Sequence, residues 1–316
     1  MRLSLKVVER LLNTKLENVE ALTQNHIYEV ENYFTLINIE GLILGHVLKV
    51  EDHPNSDHLH ICQVDLGTNL GSKQIVCGAA NVRSGQFVIV SPIGVKLPGG
   101  EIKAATIRGV ESQGMICSLK ELGLDEKFIE DKYKNGIFYF TNDMSKQVGT
   151  NPLEVMELNA KVIDYNVPPN RFDLLSAVGY AREIGACSNA KIHLKEYPLF
   201  KNNINPPVIK LTHRIPYYSI TKVCNLTINE SPWWLKSALI ASDIRPINNI
   251  VDISNYIMIR YGLPNHMFDA AIWKSNSVNV RLANPNEEVV TLDGVHRNLS
   301  ATDVLICDNE TPVALA

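Results

Sequence analysis

His53, Asp57, His58 and His60 place four ligand-type side chains within one short stretch. Strand alternation would put His58 and His60 on one face. The intervening Pro54-Asn55 reads as a turn, so these residues are expected at a turn and on a strand face, and no metal is expected. Gly67 to Lys73 offers glycines and a lysine without the GxxxxGK[ST] spacing that cradles phosphate, and reads as a β-turn. Gly109-Val110-Glu111-Ser112-Gln113-Gly114 is one residue too long for a GxSxG nucleophile elbow and lacks its strand-turn-helix setting. Cys62, Cys77, Cys117, Cys187, Cys224 and Cys307 form no CxxC pair, which argues against zinc knuckles and redox CxxC chemistry. Several follow an apolar residue in β-type runs (Ile61, Val76, Ile116), where a reduced, buried thiol and a cytoplasmic location are expected. The sequons at Asn225 and Asn298 then carry no glycosylation reading.

The chain that must position such groups has 316 residues, enough for two or three domains. Its 45% hydrophobic and 20% charged residues and a mean hydropathy of -0.03 are those of a globular protein with real cores, and exclude collagen, coiled coil and low-complexity disorder. The longest apolar stretches, such as Phe87 to Val90 and Ile137 to Phe140, are strand-sized and far short of a membrane span. Glu9, Lys15 and Glu17 interrupt any secretory-signal core. A net charge of -4 and a pI near 6.1 exclude a generic basic nucleic-acid coat but leave room for a localised RNA site.

The first forty residues read as helical. Ser4 would cap a helix with Val7, Val8, Leu11 and Leu12 on its apolar face, and Thr14 with Glu17 forms a capping-box pattern ahead of Val19 and Leu22. From Gly41 the period is two. Strands are expected at 42–50, 59–66, 74–77, 87–91, 102–107 and 114–118, with another at 137–140 after an Asn135-Gly136 turn. Short strands at that density suit a small closed barrel of the OB type. Helical spacing returns at Ala177, Tyr180, Ala181, Ile184 and Cys187, with Ser176 as cap. Ser231-Pro232 reads as cap and first-turn proline of the next helix, and another runs from Asn249 to Tyr261, stopping at Gly262. A hairpin with an Asp293-Gly294 turn is expected near the end. The best boundary is Lys201 to Pro207.

Beyond these physical readings, a string of residues resembles the tRNA-binding OB domain of the EMAP II type: His53-Pro54-Asn55-Ser56-Asp57, Gln74 to Ala79, Asn81-Val82-Arg83-Ser84-Gly85 and Arg108 to Ser118. Ala80 and His58 stand where that family usually has proline and lysine. The resemblance implies RNA-facing roles for Asn81, Arg83, Arg108 and Ser112. Acidic and basic residues nearly balance here, so modest, mostly shape-driven affinity is expected.

Downstream, Asn170-Arg171-Phe172-Asp173-Leu174-Leu175-Ser176 with Gly179 to Glu183, Ile244 to Tyr256, Gly262 to Asp269 and Thr311 to Ala316 resemble the bacterial phenylalanyl-tRNA synthetase β-subunit family. Phe172 and Ser254 replace its usual proline and threonine. The resemblance covers nearly the whole chain. It implies a multidomain α+β fold: a discontinuous N-terminal domain (1–40 with 151–200), an inserted OB barrel (41–150) and an editing domain (208–316) that reads as cut short. It also implies an editing pocket holding Ser254, Asn255 and His266. On residue type alone, Asn255 is a helix-surface residue and His266 a capping or satisfied histidine. The expected partners are tRNA(Phe) and an α subunit in an (αβ)2 heterotetramer, without a membrane. ATP and Mg2+ would serve the holoenzyme at sites outside this chain. Rival readings are a free-standing tRNA-binding OB protein and a free-standing aminoacyl-tRNA deacylase.

Overall fold

The computed structural model describes residues 1–197, 207–212, 215–291 and 294–316. They form two compact units of mixed α and β structure: Met1–Leu194 with Asn229–Asn265, and Lys195–Ile228 with His266–Ala316.

The first unit opens with β1 (Arg2–Ser4), α1 (Leu5–Leu12), α2 (Val19–His26) and β2 (Val30–Thr35). The N-terminal forty residues are therefore not purely helical. Ser4 does precede α1, but its side chain makes no capping bond. Thr14 is no cap either. Asn18 holds that position at α2, and the Glu9 carboxylate instead accepts from the Leu16 amide (3.2 Å).

A barrel-like sheet follows. Its strands are β3 (Ile43–Asp52), β4 (His60–Asp65), β5 (Ser72–Cys77) and β6 (Phe87–Pro92), the short pairs β7 (Lys96–Leu97) with β8 (Gly100–Glu101) and β9 (Ala105–Ile107) with β10 (Val110–Ser112), and β11 (Gly114–Ile116). After α3 (Asp131–Lys134) comes β12 (Tyr139–Phe140), which pairs with β6. The order β11-β6-β3-β4-β5 curls on itself until the Gln113 amide donates to the Gln74 carbonyl (2.9 Å), nearly closing the sheet. Val47, Val64, Leu66, Ile75, Val88 and Ile116 fill the interior. Gly45 permits that packing: a Cβ there would meet Val64, Val90 and Leu66 within 3.0 Å. The strand expected over 102–107 is shorter, with only Ala105–Ile107 paired.

The first unit is completed by α4 (Pro152–Val155), β13 (Lys161–Tyr165), α5 (Ala177–Ser188), α6 (Trp233–Ala241) and α7 (Asn249–Tyr261). β13 lies between β1 and β2, so two segments from opposite ends of the unit's first 165 residues share a sheet. Its core joins Leu3, Val8, Leu11, Tyr180 and Ile184 to Leu235 and Leu239 of α6 and Tyr256 and Ile259 of α7. That shared core puts residues 229–265 in the first unit. Apart from Pro207, the expected boundary stretch lies outside the described residues.

The second unit is a sheet of β14 (Val208–Leu211), β15 (Ser277–Leu282), β18 (Val304–Asp308) and β19 (Thr311–Leu315), in that order; between β15 and β18 the chain makes the hairpin of β16 (Glu288–Val290) and β17 (His296–Asn298). β18 and β19 are antiparallel, whereas β14 runs parallel to β15. Of the expected hairpin turn, Asp293 lies outside the described residues. Val278, Val280 and Ile306 pack with Tyr218, Phe268 and Trp273 to form its core.

Candidate functional site

The barrel's motif residues converge on one corner. His53 is buried, and its Nδ1 accepts from the Asn55 amide (3.1 Å). The ring proton therefore sits on Nε2, which donates to the Ile107 carbonyl (3.1 Å). Asn55 Nδ2 donates to Arg108 O (3.0 Å), and the Arg108 guanidinium donates back to Asn55 O (3.2 Å). Arg108 and Gly109 both have positive φ, 48° and 89°, the geometry of a two-residue turn joining β9 and β10. The His-Pro-Asn turn thus acts as a clasp on the β9–β10 hairpin. His58 and His60 sit 3.4 and 3.5 Å from Asp57 and Asp52, and among the described residues no three His, Cys, Asp or Glu side chains come together as metal ligands would.

The four RNA-facing candidates differ in what their side chains are free to do. Arg83 and Arg108 are exposed. Arg83 curls over its own turn, donating to Ala80 O (2.8 Å) and Val82 O (2.6 Å). Asn81 brackets the chain opposite: its amide donates to Ile137 O (2.9 Å) and accepts from Ile137 N (3.0 Å). Ser112 is buried, and its hydroxyl accepts from Val76 N and donates to Gly114 O, both at 3.0 Å. Ser112 therefore stitches β5 to β10 where backbone pairing has run out.

Beside that seam lies a cleft of about 530 Å³. Ala79, Ile102, Ile107 and Met115 give it apolar walls, and Lys103, Lys120 and Lys134 bring cations to it. Lys120 and Lys134 face Glu126 (3.5 Å) and Asp131 (2.6 Å), whereas Lys103 has no ion-pair partner among the described residues. The buried thiols nearby are held protonated. Burial, with Cys77 as a smaller contribution, pushes Cys62 up to about 12, and Cys77 itself is raised chiefly by burial.

A second group of motif residues surrounds α7. Asn248 caps the helix, accepting from the Ile250 and Val251 amides (3.1 Å each), and Gly262 ends it with φ of 75°. Asp252 is fully buried, and its carboxylate accepts from Ile247 N (2.8 Å) and from the Ser231 hydroxyl (2.5 Å). Ser231 thus ties α6 to α7 rather than capping α6, whose N-cap is Pro232. Lys236 of α6 is also buried, between the carboxylates of Glu130 and Glu230; Lys132 pairs with Glu230 as well (2.6 Å). Burial alone would raise the Glu230 carboxyl, but Lys132 and Lys236 outweigh it and hold it below its ordinary value.

Of the editing candidates, Ser254 is half-buried and reciprocally bonded to Asn265. Its hydroxyl donates to Asn265 Oδ1 (2.9 Å), and Asn265 Nδ2 donates to Ser254 O (3.2 Å). Asn255, also half-buried, makes no side-chain hydrogen bond among the described residues. Ser254 and Asn255 belong to the first unit and His266 to the second, where its exposed ring stacks on Phe268 (5.9 Å between centroids). Sequence reasoning did not single out Asn265 or Asp252. That Asp252 is the one acidic residue of α7 was the available signal for the latter.

The Asn170–Ser176 motif is a local structure. Arg171 forks onto Asp173 (3.0 and 2.9 Å) and reaches Glu183 (3.0 Å). Ser176 caps α5 through Gly179 N (3.0 Å), and a Cβ at Gly179 would stand 1.8 Å from Asp173 O. Phe172 is 78% exposed, and nothing in the structure explains why it is there.

Comparison with known proteins decides the relationship. Residues 42–145 match the family described as "Putative tRNA binding domain", and residues 214–316 match the "B3/4 domain" family. The phenylalanine–tRNA ligase β subunit of Staphylococcus aureus strain bovine RF122 / ET3-1 is 43% identical over 285 residues, 88% of this chain and 35% of that protein. The Mu50 strain's subunit is 42% identical over the same length. The chain is homologous to phenylalanine–tRNA ligase β subunits. It spans about a third of the length of the curated relatives it matches. The first family match contains Asn81, Arg83, Arg108 and Ser112, and the B3/4 match contains Ser254, Asn255 and His266. Solved structures align only partially: the C-terminal domain of Plasmodium vivax p43 at a TM-score of 0.19 (26% identity, 24% of this chain, 43% of that one), and the MetRS related protein from Pyrococcus horikoshii at 0.24 (24% identity, 34% and 85%). No helix among the described residues is long and apolar enough to cross a membrane.

Proposed function

We propose that this chain is the tRNA-binding and editing part of a phenylalanine–tRNA ligase β subunit. With an α subunit, in an (αβ)2 assembly in the cytoplasm, the enzyme attaches phenylalanine to tRNA(Phe) using ATP. The observation that carries this reading is the 43% identity to such subunits across 88% of the chain, with both family matches inside it. In this reading the barrel is an OB domain inserted between 1–40 and 151–200, and 208–316 belongs to the editing region. ATP and Mg2+ act at sites outside this chain, and none of its residues is assigned to them.

The barrel's contribution is RNA contact. Arg83 and Arg108 carry exposed charge, while Asn81 and Ser112 hold the backbone that presents it. Of the cleft's lysines, Lys103, without an ion-pair partner among the described residues, adds phosphate attraction beside Glu101 and Glu121 of the same lining.

The second contribution is hydrolysis of tyrosine misattached to tRNA(Phe). A phenylalanine pocket rejects an isostere that adds only a hydroxyl by about a hundredfold, so a second sieve is needed. Water attacks the ester carbonyl, the bond to the ribose oxygen breaks, and that oxygen takes a proton as tyrosine leaves. Ser254 and Asn255 hydrogen-bond the adenosine or the aminoacyl group. His266 orients the water or takes its proton, unless a ribose hydroxyl serves as the base.

The protein purified with its α partner tests the whole reading. ATP-dependent phenylalanylation of tRNA(Phe), together with hydrolysis of Tyr-tRNA(Phe), is the expected result. Absence of both activities would contradict it.

A further inference from the structure

From the amide clasp between α7 and the segment after it, we infer that Asn265 is a positioning residue that makes the Ser254 hydroxyl an acceptor-only group towards substrate. The inference rests on the editing reading above. Its evidence is the order of atoms in the clasp. Ser254 O can only accept, so the atom facing it at 3.2 Å must be the Asn265 nitrogen. The other end of the same amide is then Oδ1, which also only accepts, and it stands 2.9 Å from Ser254 Oγ. The single hydroxyl proton must therefore point at Asn265. A second acceptor, Asn265 O, lies on the same side at 3.4 Å.

A helical serine has another outlet for its proton, the carbonyl one turn back, as Ser188 shows by donating to Ile184 O at 2.7 Å. Ser254 makes no such bond. Its lone pairs remain open, and its side chain is only half-buried, so a substrate can reach it. The group such an oxygen recognises is an X–H donor: the tyrosyl phenol, a ribose hydroxyl or the α-ammonium. A substrate carbonyl or phosphate oxygen would meet lone pairs and be disfavoured. Asn265 thus selects the polarity of the contact without touching the reacting atoms.

The test is a double-mutant cycle in the assembled synthetase, reading kcat/KM for hydrolysis of Tyr-tRNA(Phe) in wild type, Asn265→Ala, Ser254→Ala and the double variant. Losing the orientation of one neutral hydrogen bond predicts a fall of about 3- to 10-fold for Asn265→Ala. In the Ser254→Ala background the same change should add nothing, because Asn265 acts only through the hydroxyl. Wild-type rates for Asn265→Ala, or an equal fall in both backgrounds, would overturn the inference while leaving the editing reading intact. Wild-type rates for Ser254→Ala, Asn255→Ala and His266→Ala together would overturn both. Running Phe-tRNA(Phe) in parallel locates the donor. A fall confined to the tyrosyl ester supports the phenol, and an equal fall on both esters supports a ribose hydroxyl or the ammonium.

Discussion

Asn55 and Arg108, 53 residues apart, donate to each other's backbone carbonyls at 3.0 and 3.2 Å. The pair locks the His-Pro-Asn turn to the β9–β10 hairpin, and it makes part of Arg108 structural even though its side chain is exposed. The barrel's motif residues therefore divide into those that hold the surface and those that present charge on it.

That division predicts two kinds of tRNA-binding variant. Asn55→Ala should weaken tRNA binding through the loosened hairpin, with the salt dependence unchanged, and lower stability by about 1 kcal/mol. Arg83→Ala should weaken binding and also flatten the plot of log affinity against log salt by about 0.7 to 0.9, the signature of one lost phosphate contact. Titrations at several salt concentrations separate the two.

Removing the buried cation of α6 should be costly. Lys236→Met leaves Glu130 and Glu230 with only Lys132 between them, and an unfolding midpoint lowered by the equivalent of roughly 3 kcal/mol is expected. The sign with pH follows from Glu230. Its folded-state carboxyl titrates below the ordinary 4.5, so its contribution is present above that pH and is lost as pH falls below it. Wild-type stability should drop on acidification below about pH 4.5, and the drop should be shallower in Lys236→Met.

Much of this unit was legible from local pattern. Helix α7 runs from Asn249 to Tyr261 and stops at Gly262, as its apolar spacing and glycine indicate, and Ser176 caps α5. What was not legible depends on remote partners. Val30–Thr35 is a strand because β13 lies beside it, and Ser231 faces a buried carboxylate 21 residues on instead of its own helix. Asn81 and Ser112 belong to a recognised motif, but only the fold shows that their polar atoms are occupied by Ile137, Val76 and Gly114. The Ser254–Asn265 clasp was hidden for a related reason, since it joins a helix to the loop that leaves it.

In the second unit, Arg281 forks onto Glu287 (2.8 and 2.7 Å). That hydrogen bonding brings the Glu287 carboxyl down to about 2, against an ordinary 4.5. The folded-state value is depressed, so the pair stabilises the unit above about pH 4.5 and progressively less as pH falls towards 2. Carboxyl NMR should follow Glu287 titrating near that low value, and in Arg281→Met it should return towards the ordinary range.

Thiol reactivity should report the fold. Cys224 alone among the six cysteines is exposed, Cys187 is intermediate, and the other four are buried. A thiol reagent should label Cys224 first, and Cys62 and Cys117, both raised by burial, should react only on unfolding. Mass spectrometry of the labelled peptides checks the order.

In the proposed function the α7 residues and His266 serve hydrolysis of a mischarged tRNA. The most direct measurement is deacylation of Tyr-tRNA(Phe) by the assembled synthetase, comparing wild type with Asn255→Ala and His266→Ala, with phenylalanylation measured on the same preparations. Deacylation slowed by at least about tenfold in both variants is expected, with phenylalanylation at the wild-type rate. Deacylation at the wild-type rate in both, or phenylalanylation falling in step with it, would contradict an editing role for these residues.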